Sequence, residues 1–441
     1  MNHVKSFVQV KEYGLLVEAG DNAIPDHAEV STSAFNWLMS NGLSIAGREL
    51  VRVKRIGKKL ALQVVNFVGV LDTPCGTRIE ILPKIYSDRT SIEASRKTLL
   101  KMLAVVENLK LEQFNNAHLQ VVNQPLIEVL ISQFLSQVSL LLKKGLRSEY
   151  QRIDAQRSFL KGRLNTVKQM RQRPGRDHIF QISYDTFSIN RAENRLILSA
   201  VNIVSRWTRN SQNQRLAREL IFAFDGVNKS NNHNEDFKRW SKDRNLTHYR
   251  NLESWCKLIL FNESPLTMSG NTEGVSFLFP MEVLFERYVE KKLSKLLPSR
   301  FSVKGQIKGE SLTSHNGQNW FNLRPDIAIY DNGEIAVIAD TKWKIINENL
   351  NTSKDKYYLA QSDMYQLFAY GEKYLKGQGS LVLIYPKNEN FLEALPSFEF
   401  KPGLLLHVVP FDLDKDDVQI NAPVFLTSMV NTEGTNLKNY G

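Results

Sequence analysis

Cysteine is nearly absent. Cys75 and Cys256 are the only two in 441 residues, far apart and without CxxC spacing. That argues against a disulfide framework or a cysteine-built zinc site and fits a reducing cytoplasm. The eight histidines are scattered, and none forms HxxxH or HExxH, so a histidine zinc site lacks support as well. Neither a GxxxxGK(S/T) phosphate loop nor a GxSxG nucleophile elbow occurs; nucleotide binding and serine hydrolysis are not this chain's chemistry. The opening MNHVKSFVQVKEYG has no apolar core of a secretion signal, and no run approaches the roughly 20 apolar residues of a membrane helix. Internal repeats and long low-complexity tracts are missing too.

What is present is an ordinary globular composition, 42% hydrophobic and 23% charged, long enough for two or three cored domains. The net charge of +11 is unevenly placed. Between Lys143 and Arg250 stand 23 basic and 10 acidic residues, a surplus of 13 that exceeds the whole-chain excess. One central segment therefore carries the positive field, and a polyanion such as nucleic acid is its natural partner. A merely solvated helical face is the plainer alternative.

Hydrophobic period and turn residues divide the chain into an α+β multidomain arrangement. Residues 1–95 alternate as a strand-rich module (FVQVKEYGLLVE, ELVRVKRI, KLALQVVNFVGVL, TRIEILPKI), interrupted by STSAFNWLMS, a short capped helix. Residues 96–265 form a basic, mainly helical connector. It holds PLIEVLISQFLSQVSLLLKKG, NRAENRLILSAVNIVSRWTRN, a strand pair in RSEYQRIDAQRSFLKGRLN and a polar loop, NKSNNHNEDFKRW. Residues 266–430 read helix, three strands, helix, strand, with one more strand after it: PMEVLFERYVEKKLSKLL, FSVKGQIK, a hairpin, YYLAQSDMYQLFAYGEKYL, SLVLIYP and GLLLHVVPF. Residues 431–441 look like a frayed tail.

The hairpin, RPDIAIYDNGEIAVIADTKWK, carries charge where an apolar strand should continue. With Asp331-Asn332-Gly333 as its loop, Tyr330 pairs with Glu334 and Asp326 falls opposite Ile338. Alternation then sets Asp326, Asp340 and Lys342 on one face, Asp326 diagonal to Asp340, with Trp343 packed beneath. Unpaired charge at the end of a strand covered on both sides costs several kcal/mol. A divalent cation held by Asp326 and Asp340 would offset that cost, with Lys342 beside its water. An ordinary surface ion pair is the competing reading.

These residues resemble the PD-(D/E)xK nuclease motif, with Pro325-Asp326 and Asp340-Thr341-Lys342 as its halves. The resemblance implies a restriction-endonuclease-like C-terminal domain using Mg²⁺ or Mn²⁺, with catalytic Asp326, Asp340 and Lys342. It implies an accessory acid on the preceding helix, where Glu282 and Glu286 lie one turn apart and the resemblance does not decide between them; Glu286 is the choice here, as a third ligand or water-positioning group. Gln366 and Tyr370, spaced i, i+4, match its QxxxY element, and Lys344 stands where a phosphate contact would fit. Across its length the chain is similar to the McrC family, nuclease subunits of modification-dependent restriction systems. The likeness rests on GVLDTPCGTRIEILPKI, FLKGRLN, YDTFSINRAENRLI, FLFPMEVLFERYV, RPDIAIY, IADTKWK and SDMYQLFAY. It implies cleavage of methylcytosine-containing double-stranded DNA in the cytoplasm, with no membrane. It also implies assembly, through the N-terminal module, with a hexameric McrB-like AAA+ GTPase that binds the GTP. A stand-alone or helicase-linked repair nuclease of the same fold, or an inactive DNA-binding adaptor, are the alternatives.

Overall fold

Alternating apolar positions in the first ninety residues pair into two small sheets. The computed structural model describes residues 6–20, 27–42, 49–84, 91–109, 124–173, 175–176, 178–241, 247–261 and 276–413; the C-terminal tail of the sequence reading lies outside them. The first elements are β1 (Phe7–Lys11), β2 (Leu15–Glu18), β3 (His27–Val30), α1 (Thr32–Asn41), β4 (Val51–Ile56), β5 (Lys59–Val64), β6 (Phe67–Asp72) and β7 (Arg78–Leu82). KLALQVVNFVGVL is two strands rather than one, broken at Asn66, which takes a positive φ of 62°. One sheet has the order β3-β2-β5-β4, and α1 covers it with its hydroxyl cap, Ser31, accepting from the Ala34 N–H. β3, short and mostly polar, carries too weak an alternation to be read from sequence. Next comes α2 (Ile92–Val106), capped by Ser91.

Contacts divide the chain into two compact units. Residues 1–109, 116–126 and 264–441 form one; 110–115 and 127–263 form the other. The strand-rich module and the C-terminal segment, separate in the sequence-based division, thus share a unit. The second unit contains most of α3 (Leu126–Lys144), then β8 (Glu149–Arg157), β9 (Arg163–Leu164), α4 (Thr166–Met170), β10 (Phe180–Ser188), α5 (Ala192–Trp207), α6 (Ser211–Ala223), α7 (His233–Lys238) and α8 (Thr247–Phe261). β8 and β9 do not pair with each other as expected: both pair with β10, in the order β8-β10-β9. β10 offers nine residues to β8, which a local β8–β9 pairing with its two-residue strand cannot match. The polar loop NKSNNHNEDFKRW contains the short helix α7, capped by Asn232. α3 also corrects the reading of apolar runs. It is long and apolar enough to cross a membrane, but Phe134, Leu135, Val138 and Leu141 are buried in the protein, so it serves as a core helix.

The first unit resumes with β11 (Ser276–Pro280), α9 (Met281–Leu296), β12 (Phe301–Gly305), β13 (Ser311–His315), β14 (Gln318–Asn322), β15 (Ile327–Asp331), β16 (Glu334–Thr341), a 3-10 turn at Lys356–Tyr358, α10 (Gln361–Tyr374), β17 (Gly379–Pro386), β18 (Phe398–Lys401) and β19 (Leu404–Phe411). The expected helix–strand order is present with three departures. The β13-β14 hairpin is inserted, β18 adds an edge strand, and α10 starts at Gln361 because Lys356, Tyr357 and Tyr358 all take positive φ. The six-stranded sheet runs β12-β15-β16-β17-β19-β18, with parallel pairing only at β16-β17 and β17-β19. Ala328, Ile338, Leu381 and Leu383 pack with Leu367 and Tyr370 of α10. Phe285 of α9 meets Trp343 and Phe411 at centroid distances of 5.2 and 6.0 Å. Both faces are therefore covered, which is why EIAVIA reads as continuous rather than alternating.

β11 completes the sheet β1-β7-β6-β11 and leads directly into α9. Its close approach to β6 depends on Gly69, whose φ is +127°; a Cβ there would stand 1.9 Å from the Phe277 carbonyl oxygen. Gly69→Ala is expected to lower stability by about 2–3 kcal/mol and to weaken amide exchange protection at Phe277 and Phe279. Unchanged urea unfolding and exchange would refute this reading of the glycine.

Candidate active site

The hairpin turn is tighter than its residues imply. Asp331 pairs with Glu334, so Asn332 and Gly333 alone make the loop, both at positive φ (49° and 94°). That is the conformation a two-residue hairpin favours. A register shift between Ile329 and Tyr330 then sets Ile327 opposite Ala339. Continued one step, this register puts Asp326 directly across from Asp340 rather than diagonal to it. The two slips of one residue add to two, so the expected face is retained while the opposing residue changes.

Asp326 is fixed by its neighbours. Its carbonyl accepts from the Gln306 N–H at 2.8 Å. Its Oδ2 accepts from both the N–H and the hydroxyl of Thr341, each at 2.8 Å. Asp340 is 1% exposed. Lys342 Nζ stands 2.7 Å from its Oδ2, and among the described residues no other donor reaches either Asp340 oxygen. Lys342 also donates to Gln366 Oε1 at 3.3 Å; Gln366 Nε2 donates to the Tyr370 hydroxyl at 2.6 Å, and that hydroxyl donates to the Arg324 carbonyl at 3.1 Å. The QxxxY spacing thus makes a chain of donors and acceptors that ends on the lysine.

Glu286 reaches the site from α9, where Gln306 Nε2 donates to its Oε1; Glu282, one turn earlier, is exposed. Desolvation, then the nearby Asp326 charge, pushes Glu286 up to about 7. Burial followed by the Asp326 charge likewise pushes Asp340 up to about 7, with Lys342 opposing. Asp326 is raised mainly by burial, against the Thr341 bonds and Lys342. Burial alone would lower Lys342, but Asp340, then Asp363 and Asp326, leave it raised. The site therefore holds excess negative charge with little water to solvate it.

Among the described residues no group of three or more His, Cys, Asp and Glu side chains stands ready to hold a metal, so Glu286 is not gathered with the two aspartates into a cage. A small hard cation does not need one: it takes one or two carboxylates and keeps water in its other positions. The buried Asp340 carboxylate, met by Lys342 and standing beside Asp326, fits that demand.

Three residues escaped the sequence reading. Thr341 occupies the variable position of the motif and orients Asp326. Asp363, buried in the first turn of α10, lies 3.4 Å from Lys344 Nζ and 4.0 Å from Lys342 Nζ. Its spacing of three and seven residues from Gln366 and Tyr370 is helical, a signal that could have found it. Glu12, 1% exposed, accepts from Trp343 Nε1 at 2.7 Å, and no local pattern could have revealed that bond.

Burial, the largest influence, and the Glu282 charge raise Glu12 from 4.5 to about 7, against the lowering effect of the Trp343 bond. Between pH 4.5 and 7 the unfolded chain releases this proton while the folded chain keeps it, so stability falls as pH rises. Glu12→Gln can still accept from Trp343 and lacks that proton. It is expected to match wild type below pH 4.5 and to exceed it near neutrality by up to about 3 kcal/mol, read from urea unfolding at several pH values. Parallel pH profiles would refute the assignment.

The family model for McrBC 5-methylcytosine restriction system components matches residues 62–386. A chain of the refined half-complex from a tetradecameric assembly of Thermococcus gammatolerans McrB AAA+ hexamers with bound McrC is similar over 97% of this chain and 99% of that one. Its identity is 19% and its TM-score 0.68, a likeness of fold. A chain of the cryo-EM structure of the Thermococcus gammatolerans McrBC complex is 23% identical, covering 66% of this chain and 88% of that one, at a TM-score of 0.49. No curated protein matches at a comparable threshold.

Proposed function

The chain belongs to the family of McrBC 5-methylcytosine restriction system components, and on that premise we propose that it is the McrC-type nuclease subunit. In this reading it cuts methylcytosine-containing double-stranded DNA with Mg²⁺ when joined to a McrB-like AAA+ GTPase hexamer, to which the GTP binding belongs. The observation that carries the proposal is Asp340: a carboxylate 1% exposed near the end of a strand, beside the carboxylate of Asp326, with the Lys342 ammonium as the cation against it. One ammonium against two buried carboxylates leaves the site short of positive charge, and a bound cation would supply it.

Asp326 and Asp340 would hold the ion, with Glu286 positioning water at the rim. When bound, such an ion acidifies water and neutralises charge developing on a phosphate. Lys342, with its charge secured by Asp340, places a cation against the phosphate oxygens as negative charge grows there. Gln366 and Tyr370 hold the ammonium in place, and Thr341 holds Asp326. The central basic segment supplies the wider attraction for the duplex.

The test is cleavage of methylated plasmid by the protein with its partner ring, GTP and Mg²⁺. Lys342→Ala is expected to slow cutting by about a hundredfold. Equal cutting by wild type and variant would overturn the nuclease assignment, and no cutting by wild type would favour the adaptor.

A further inference from the structure

Beside the catalytic strand lies a cavity of about 290 Å³ lined by Tyr13, Lys84, Trp343, Lys344, Ile345 and Pro386. It sits at the carboxyl ends of the parallel strands β16 and β17: Pro386 is the last residue of β17, and Trp343 follows β16 by two positions. In open α/β sheets that end is where ligands enter. Tyr13 and Lys84 bring the other wall from the turn after β1 and the segment after β7.

Among the described residues the lining has two chemistries and no acid. Tyr13 offers exposed aromatic surface, with the buried Trp343, Ile345 and Pro386 as apolar wall; Lys84 and Lys344 add positive charge, each with an interaction elsewhere, Lys344 with Asp363. Trp343 is locked from behind by its bond to Glu12. Tyr13 takes a left-handed φ of 65°, costly for an L-residue, with its N–H held by the Val64 carbonyl at 2.8 Å and its side chain 44% exposed. A strained backbone that keeps a large aromatic at a cavity mouth suits a recognition role better than a packing one. The volume stands at the small end of ligand pockets, the size of a single nucleotide.

We infer that this cavity receives one unstacked nucleotide of the DNA strand, its base against the exposed ring of Tyr13, with Trp343 behind as wall, and its phosphates near Lys84 and Lys344. The inference rests on the nuclease reading and deepens it, because Lys344 and Trp343 directly follow Lys342. An aromatic platform accepts any base face, so the pocket grips the strand next to the scissile position without choosing a sequence.

The experiment uses full-length protein in EDTA, where nothing is cut. Its affinity for a short single-stranded DNA oligonucleotide is compared with that for an all-abasic strand of equal length. Tyr13→Ala is expected to weaken binding to the normal strand about tenfold, within the range for loss of one stacked base, and to leave the abasic strand unaffected. Tyr13→Phe, which keeps the ring, should bind as wild type. An iodouridine-bearing oligonucleotide should cross-link to Tyr13 or Trp343. Equal affinity of Tyr13→Ala and wild type for the normal strand would overturn the pocket, as would equal losses for both strands. The two readings fail separately. If Lys342→Ala abolishes cutting but Tyr13→Ala binds normally, only the pocket falls; if Tyr13→Ala binds poorly but Lys342→Ala cuts normally, only the nuclease assignment falls.

Discussion

Asparagine at position 340 is expected to slow DNA cleavage at least about a thousandfold, the several kcal/mol that a bound metal contributes to such chemistry, while leaving the fold intact. Two further responses distinguish a lost ligand from general damage. Without divalent metal, the wild-type acid is held at about 7 by burial and then by Asp326. Between its ordinary 3.8 and that value the unfolded chain binds fewer protons than the folded one, so wild-type stability declines as pH rises. Asp340→Asn lacks this decline, and its stability relative to wild type should grow across that window and level off above it. Adding Mg²⁺ should stabilise wild type by about 2.7 kcal/mol at a hundredfold excess over its dissociation constant, raising its melting temperature, and barely move that of the variant. Equal Mg²⁺ shifts for the two proteins would remove Asp340 from the metal site even if cleavage were lost.

The second large effect is structural. Arg96 of α2 and Glu80 of β7 are 2% and 0% exposed and joined at 2.6 Å between Nη2 and Oε2. Glu80 also accepts from Gln9 Nε2 at 2.7 Å and from the Leu126 N–H, so one carboxylate ties β1, β7, α2 and the start of α3. Arg96→Met removes the cation and leaves a buried anion, expected to cost about 3–5 kcal/mol. Pairing it with Glu80→Gln should recover most of that, since glutamine keeps an acceptor and leaves no charge. Urea unfolding of the two variants decides it. A loss below about 1 kcal/mol for Arg96→Met, or a double variant no better than the single, would show that the pair contributes little.

Legibility differed between elements for identifiable reasons. The helices carrying Glu286, Gln366 and Tyr370 were readable because their apolar period spans several turns. α10 was extended too far, because nothing in KYY announces three successive left-handed residues. β10 holds its sheet together by pairing with both β8 and β9, a long-range choice that no local pattern in RSEYQRIDAQRSFLKGRLN announces. The face shared by Asp326, Asp340 and Lys342 survived a register error of two residues, because side chains repeat every second position.

What the sequence alone determined, then, is whatever depends on near neighbours: the Asn-Gly turn, the alternation that gathers two acids and a lysine on one face, and the helical spacing of Gln366 and Tyr370. Only the tertiary structure decided that Asp340 is buried against Lys342, that Glu286 stays outside a three-carboxylate cage among the described residues, and that Glu12 braces Trp343 across 331 positions. The reason is physical. Turns and periods arise from steric preferences of adjacent residues, whereas burial and distant partners depend on which of many long loops closes, a choice left almost unbiased by an entropy that rises only logarithmically with loop length.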